Sequence, residues 1–316
     1  MRRILVIDYS QTGQTRNLRD SICAPLLENE KLRLDFLEIK PEHPFPFPWP
    51  FVNFFEIFPE TVQMKPIALK PLDIDTSQKY DLIILFYQVW FLSPSLPISS
   101  FLQSPEAKLL FKDTPVVTAI GCRNMWLQAQ EKTKLHLQRL EATLVDNLVL
   151  TDKCGSAASF IATPLWMLTG KKKAWSWVPK AGIDAEEIKQ ASRFGEALAT
   201  RLTQDSTPIT KPMLQGLGAV SINDKLIASE HIGNRSFQIW SRLLIKMGAT
   251  GSLGRRIGLM VYIVFLIAMI LTVVPISALI KWMFRPLLRQ RIIKARHYFA
   301  APSGESIENK DGTKSD

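Results

Sequence analysis

Over its first 200 residues the chain alternates short apolar runs with stretches of helical periodicity, and that alternation confines it to an α/β design built on a parallel sheet. Residues 3–9 form the first run, after which Leu18, Ile22 and Leu26 repeat on one helical face from about Thr15. Further runs occupy residues 32–39, 81–87, 115–121 and 144–150, with helices predicted over Ile98–Leu110, 127–140 and Ala185–Leu202. Right-handed crossovers between these runs give a doubly wound five-stranded parallel sheet, for which the order 2-1-3-4-5 is expected.

The pattern breaks twice. Residues 41–72 are rich in proline and aromatics, above all from Pro44 to Phe51, a composition that argues against a regular helix or a central strand. Two readings stay open there: an extended excursion packed over the surface, or an apolar lip for a greasy substrate. Beyond residue 203, Pro208, Pro212, Gly216 and Gly218 mark residues 204–240 as a linker. The domain organisation expected is an α/β domain over 1–203, that linker, a basic-flanked membrane anchor over 241–300, and a disordered polar tail over 301–316.

Charge follows the same division. The formal net charge is +10, and residues 241–316 hold 12 Lys/Arg against 4 Asp/Glu, which leaves +2 for residues 1–240. Cations beside a long apolar run suit anionic lipid headgroups; nucleic acid is not expected as a partner, since no groove of interleaved basic and aromatic residues is evident. From Ile257 to Ile280 there are 24 residues without a charge, enough to span a bilayer, with Pro275 placed to kink the segment. Because cations flank both ends, a single crossing expels one basic flank, so a re-entrant or in-plane anchor and a buried core helix stand beside it as alternatives. The N-terminus lacks a secretory h-region, which predicts a cytoplasmic domain held at the inner face of a bacterial membrane.

Between the first strand and first helix lies Ser10-Gln11-Thr12-Gly13-Gln14-Thr15, where unpaired amides and the positive helix end favour an anion. Ser10, Thr12 and Thr15 supply hydroxyls, and Gly13 lets the backbone approach closely. With no GxGxxG and no Walker lysine, the ligand is a small phosphate held without a metal. At the matching ends of the third and fourth runs stand Gln88, Val89, Trp90 and Phe91, then Gly121, Cys122, Arg123, Asn124, Met125 and Trp126. In an open α/β sheet ligands sit outside these strand ends, at the switch in strand order. Trp90 offers a face to a planar ring, or, like Trp126, caps the core.

On these residues the chain resembles the flavodoxin-like superfamily, whose T/S-x-T-G-x-T phosphate loop is matched by Ser10, Thr12, Gly13 and Thr15. Segments Phe45–Phe51, Trp90–Pro97, Ile120–Trp126 and the tail helix are similar to the dialkylresorcinol condensing enzyme family. The resemblance implies FMN as cofactor and a role in making aromatic alkyl lipids in bacteria beside a partner ketosynthase; NAD(P)H is a further candidate as reductant. The three cysteines show no metal or disulfide spacing. Cys122 without a motif-placed histidine reads as an inert thiol, so redox chemistry fits better than condensation: a cyclic dione losing hydride and proton to become a resorcinol. Arg123 is the candidate for steadying the developing enolate, with Asn124 or Tyr87 as polar partners. Membrane lipids and a lipophilic substrate complete the expected partners. The rival functions are a membrane-tethered NAD(P)H:quinone or FMN reductase and a flavin-free scaffold.

Overall fold

In the computed structural model, residues 1–152, 156–173, 175, 177, 179–204, 207–272 and 285–304 are described. Strand β1 (Arg2–Asp8) lies inside the sheet, flanked in parallel by β2 (Leu32–Glu38) and β3 (Leu82–Trp90). Next to β3 comes β5 (Pro115–Cys122), then β6 (Thr143–Thr151), so the path is β2-β1-β3-β5-β6. That is the predicted 2-1-3-4-5 order, the flavodoxin-like doubly wound arrangement. A sixth strand, β4 (Ser93–Pro94), lies outside the expected five and folds back antiparallel on the end of β3.

The central strands are apolar on both faces because helices cover both. On one face Leu5, Ile7, Ile83, Leu85 and Ile120 pack under α4 (Leu96–Phe101), α5 (Pro105–Phe111) and α6 (Leu127–Arg139). On the other, Ile4, Val6, Ile84, Phe86 and Ala119 meet Leu18 and Ile22 of α1 (Gln14–Leu27) and Phe194 and Leu198 of α9 (Ser192–Gln204). Close approach of α1 and α9 depends on Gly195, where an added Cβ would lie 2.0 Å from the Ile22 carbonyl oxygen. Gly195→Ala is therefore expected to cost about 3 kcal/mol through forced separation of the two helices, read as a lowered melting temperature.

Several predicted elements differ in detail. The single helix expected over Ile98–Leu110 is two, because Pro105 cannot donate within a helix interior, and Ser104 caps the second by accepting from the Ala107 amide at 3.1 Å. Likewise Ala185–Leu202 divides into α8 (Ala185–Gln190) and α9. Within the proline-rich stretch, α2 (Phe51–Glu56) follows Pro50 and α3 (Phe58–Val62) carries Pro59 in its first turn, where a missing N–H costs nothing.

The largest correction concerns residues 204–240. Instead of a linker throughout, Asn223 caps a long helix, α10 (Asp224–Lys246), whose Ile227, Glu230, Ser241 and Leu244 are buried. Its turn-forming residues mark only the stretch before that cap. Helix α11 (Leu253–Leu271) then carries most of the apolar segment, while residues 273–280, including Pro275, lie outside the described residues. Between α6 and α8 lies α7 (Ser156–Thr169), and α12 (Arg285–Ala300) is the last helix among the described residues. The polar tail expected from 301 does not begin there. Ser303 is buried, its hydroxyl donating to Asp146 Oδ1 at 2.7 Å and accepting from the Asn147 amide at 2.5 Å; residues 305–316 lie outside the described residues.

Candidate functional site

The sheet order reverses at β1, and the loops leaving β1, β3 and β5 meet there around a cleft. Gly13 enters α1 at φ 83°, the left-handed region that glycine occupies without strain, and nothing lies within 4 Å of where a Cβ would be. Gln11, Thr12, Gln14 and Thr15 border the cleft. Ser10 sits behind them, its Oγ accepting from the Arg16 amide at 3.2 Å. Gln11 donates to the Pro46 carbonyl at 2.9 Å, and Gln14 to the Ile183 carbonyl at 3.1 Å, so the loop is braced on both sides by distant segments.

The end of β3 supplies Gln88, Val89, Trp90 and Phe91. Trp90 is held edge-on by Tyr9, Phe45 and Trp49 at centroid distances of 5.9, 5.2 and 6.0 Å. The turn into β4 pairs Val89 with Pro94 and Trp90 with Ser93, leaving Phe91 and Leu92 as a two-residue connection with φ of 47° and 58°. Two positive φ values in such a hairpin normally call for Asn-Gly. Here bulky residues hold that backbone, at a cost of about 1–3 kcal/mol each, a strain that clusters at ligand clamps. Phe91 is held by Phe54 and Phe58, each 5.2 Å away.

From β5 come Gly121, Cys122 and Arg123; Asn124 and Met125 continue the same loop outside the cleft lining. Burial, reinforced by the negative charges of Glu230 and Asp152, pushes the Cys122 thiol far above the ordinary range, so it remains protonated. Tyr87 is not part of the cleft. Its side chain is fully buried on the α6 face of the sheet, where the hydroxyl donates to Gln130 Oε1 at 2.6 Å, and burial raises its pKa. That placement removes it from contact with a ligand.

Sequence reasoning missed the opposite wall. Asp152, at the end of β6, accepts from the Gly182 amide at 2.8 Å while its own amide donates to the carbonyls of Cys122 and Arg123. Gly182 lies at φ 93°, and an added Cβ would fall 2.5 Å from Gln14 Nε2. Phe54, Thr163, Trp166, Met167 and Ile183 complete the lining. The strand-end rule that found Trp90 also reaches Asp152; nothing local marks the others. Two polar atoms of lining residues, Gln88 Nε2 and Thr163 Oγ1, are buried without a hydrogen-bond partner. Such atoms ordinarily have one. No cluster of three His, Cys, Asp or Glu suited to a metal occurs among the described residues.

No protein-family model and no curated protein sequence matches this chain. Solved structures similar to it include a flavoprotein in complex with FMN from Lactobacillus acidophilus, 20% identical, spanning 47% of this chain and 93% of that one at a TM-score of 0.36. Another is oxidised flavodoxin 1 from Bacillus cereus, 13% identical over 65% of this chain and 99% of its own, at a TM-score of 0.35. A flavone reductase is 12% identical over 66% and 65% of the two chains, also at 0.35. The fold assignment stands on this chain's own strand order.

Proposed function

We propose that the chain binds FMN in this cleft and acts as a flavin-dependent oxidoreductase on a lipophilic substrate, in dialkylresorcinol formation beside a partner ketosynthase. The observation that carries the reading is the cleft's two-ended make-up. One end is the start of α1, with Gly13 in the left-handed region and Ser10 holding the Arg16 amide; the other is aromatic, walled by Trp90 and Trp166. These residues fit the cofactor. The amides and hydroxyls of Thr12 to Thr15 would hold its phosphate, and Trp90 and Trp166 would wall its ring.

Bound FMN would supply the two-electron acceptor, as the cyclic dione gives up a hydride and a proton to become a resorcinol. The chain's part is to position and to screen. Arg123, at the mouth of β5, would hold the developing enolate charge; Asn124 stands one residue further out. Cys122 stays neutral and serves as lining, which favours redox chemistry over thiolate-based condensation. The lipophilic substrate is supported by a continuous aromatic path: Phe91 at the cleft touches Phe58, on which Tyr262 of α11 stacks at 4.4 Å.

Detergent-purified protein is expected to take up FMN with flavin absorbance bands, less so for Thr12→Ala, and a cyclic dione should bleach them anaerobically. Arg123→Ala should slow that bleaching about 10- to 100-fold with FMN occupancy unchanged. Colourless protein that takes up no FMN would leave the flavin-free scaffold. Bleaching by NAD(P)H, with quinone but not resorcinol chemistry following, would identify the quinone reductase instead.

A further inference from the structure

We propose that α10 and α11 form a platform that rests on an anionic lipid bilayer from one side, so that both ends of the apolar segment stay on the side of the α/β domain. On α11, Leu253, Ile257, Val261, Val264, Ile267 and Leu271 are each more than half exposed. Their spacing of three and four residues sets them in one stripe along the helix. Ile232, Ile239 and Leu243 of α10 are exposed as well. An exposed apolar stripe of this kind marks an interaction site on a folded protein.

The opposite face of α11 is built into the fold. Arg255 is 2% exposed and bonds both oxygens of Glu60, at 2.7 and 2.5 Å, and the Glu56 carbonyl at 2.7 Å. Leu259 and Tyr262 are fully buried beside Phe58. A helix bound to protein along one face and apolar along the other has the form of an interfacial anchor.

The chain then comes back to the domain it left. Phe299 of α12 is buried in the main core, and the Tyr298 hydroxyl donates to Glu131 Oε2 at 2.7 Å. Ser303 is fixed on Asp146 at 2.7 Å, on the strand β6. A single crossing would carry α12 to the far side of the bilayer and break every one of these contacts. Return to the same side keeps them, and it also removes the conflict of having cations at both ends of the apolar segment.

Charge identifies the occupant as lipid. From His231 to Gly304 the sequence contains no Asp or Glu. Arg242 and Lys246 are exposed on α10, and Arg289, Arg291 and Arg296 on α12, while Arg256 of α11 is exposed but paired with Glu56 at 3.2 Å. A second copy of the chain would bring like charges together, whereas an anionic headgroup layer over an acyl phase answers both the cations and the apolar stripe. The proposal does not depend on the flavin.

Two measurements on the full-length protein test it. Thr250→Cys and Gln290→Cys, each compared with the parent cysteines, would be labelled with a membrane-impermeant maleimide in sealed spheroplasts and in inverted vesicles. Both positions should label only in inverted vesicles; labelling of Gln290→Cys from the outer face would establish a single crossing and overturn the proposal. Separately, flotation with vesicles of phosphatidylcholine and about one-third phosphatidylglycerol should retain the wild type. Val261→Asp combined with Val264→Asp should lower the bound fraction about tenfold while circular dichroism stays unchanged. Equal flotation of the two proteins, or wild-type protein that stays with phosphatidylcholine-only vesicles as well as with the anionic ones, would refute the anionic-lipid platform.

Discussion

Replacing Gly13 by Val is expected to give a folded protein whose affinity for FMN has fallen at least about 100-fold, to that for riboflavin. A β-branched residue at φ 83° costs about 1–3 kcal/mol, and the backbone relaxes toward negative φ. The Cβ itself meets nothing within 4 Å, so the fold survives. What changes is the aim of the first-turn amides and the closeness of approach to them. Hydrogen bonds to a charged phosphate contribute about 1.5–3 kcal/mol each, and losing two of them accounts for the expected drop. Titration by flavin fluorescence quenching, with riboflavin in parallel, separates this from unfolding: the wild type should prefer FMN and the variant should not. Undiminished FMN preference in the variant would place the phosphate elsewhere.

The second large effect is a pH dependence of stability centred on Glu230. This side chain of α10 is fully buried; one oxygen accepts from the Gln128 amide at 2.7 Å, at the start of α6, and the other has no partner. Burial raises its pKa to about 7, against the lowering effects of the Gln128 and Leu127 amides and of Lys132. Between the ordinary carboxyl value of 4.5 and about 7 the folded protein holds a proton that the unfolded chain has released. Stability therefore falls as pH rises through that window, by about 3 kcal/mol in all, and levels off above it. Lys132, lowered to about 8 by burial, acts only at higher pH.

Glu230→Gln keeps an acceptor for the Gln128 amide and removes the titration. Its melting temperature should match wild type near pH 5 and exceed it by several degrees at pH 7.5. Parallel pH profiles for the two proteins would show that the carboxyl is ionised at little cost in the fold.

The parts of the site that could be read from the residues are those governed by chain-local physics. A tight loop between a strand and a helix, with glycine where φ is positive, announces itself in Ser10 to Thr15. The strand-end rule then places Gln88 to Phe91 and Gly121 to Arg123 around it. Tyr87 shows where that reasoning stops. Strand alternation assigns it a face together with Ile83 and Leu85, but only the packing of α6 decides that this face is closed over it and that Gln130 takes its hydroxyl.

The remaining wall comes from afar. Gly182 reaches Asp152 across 30 residues, Gln14 meets Ile183 across 169, and Ser303 returns to Asp146 across 157. The amino-acid order by itself determined the alternation of strand and helix, the tight loop from Ser10 to Thr15 and the apolar segment, because periodicity, glycine dihedrals and hydropathy act over a few residues. Tertiary structure alone decided which distant residues closed the cleft, that Arg255 would tie α11 to Glu60, and that the tail would come back to the domain. Those outcomes depend on which distant surfaces fit and bury one another, and no short stretch of chain carries that information.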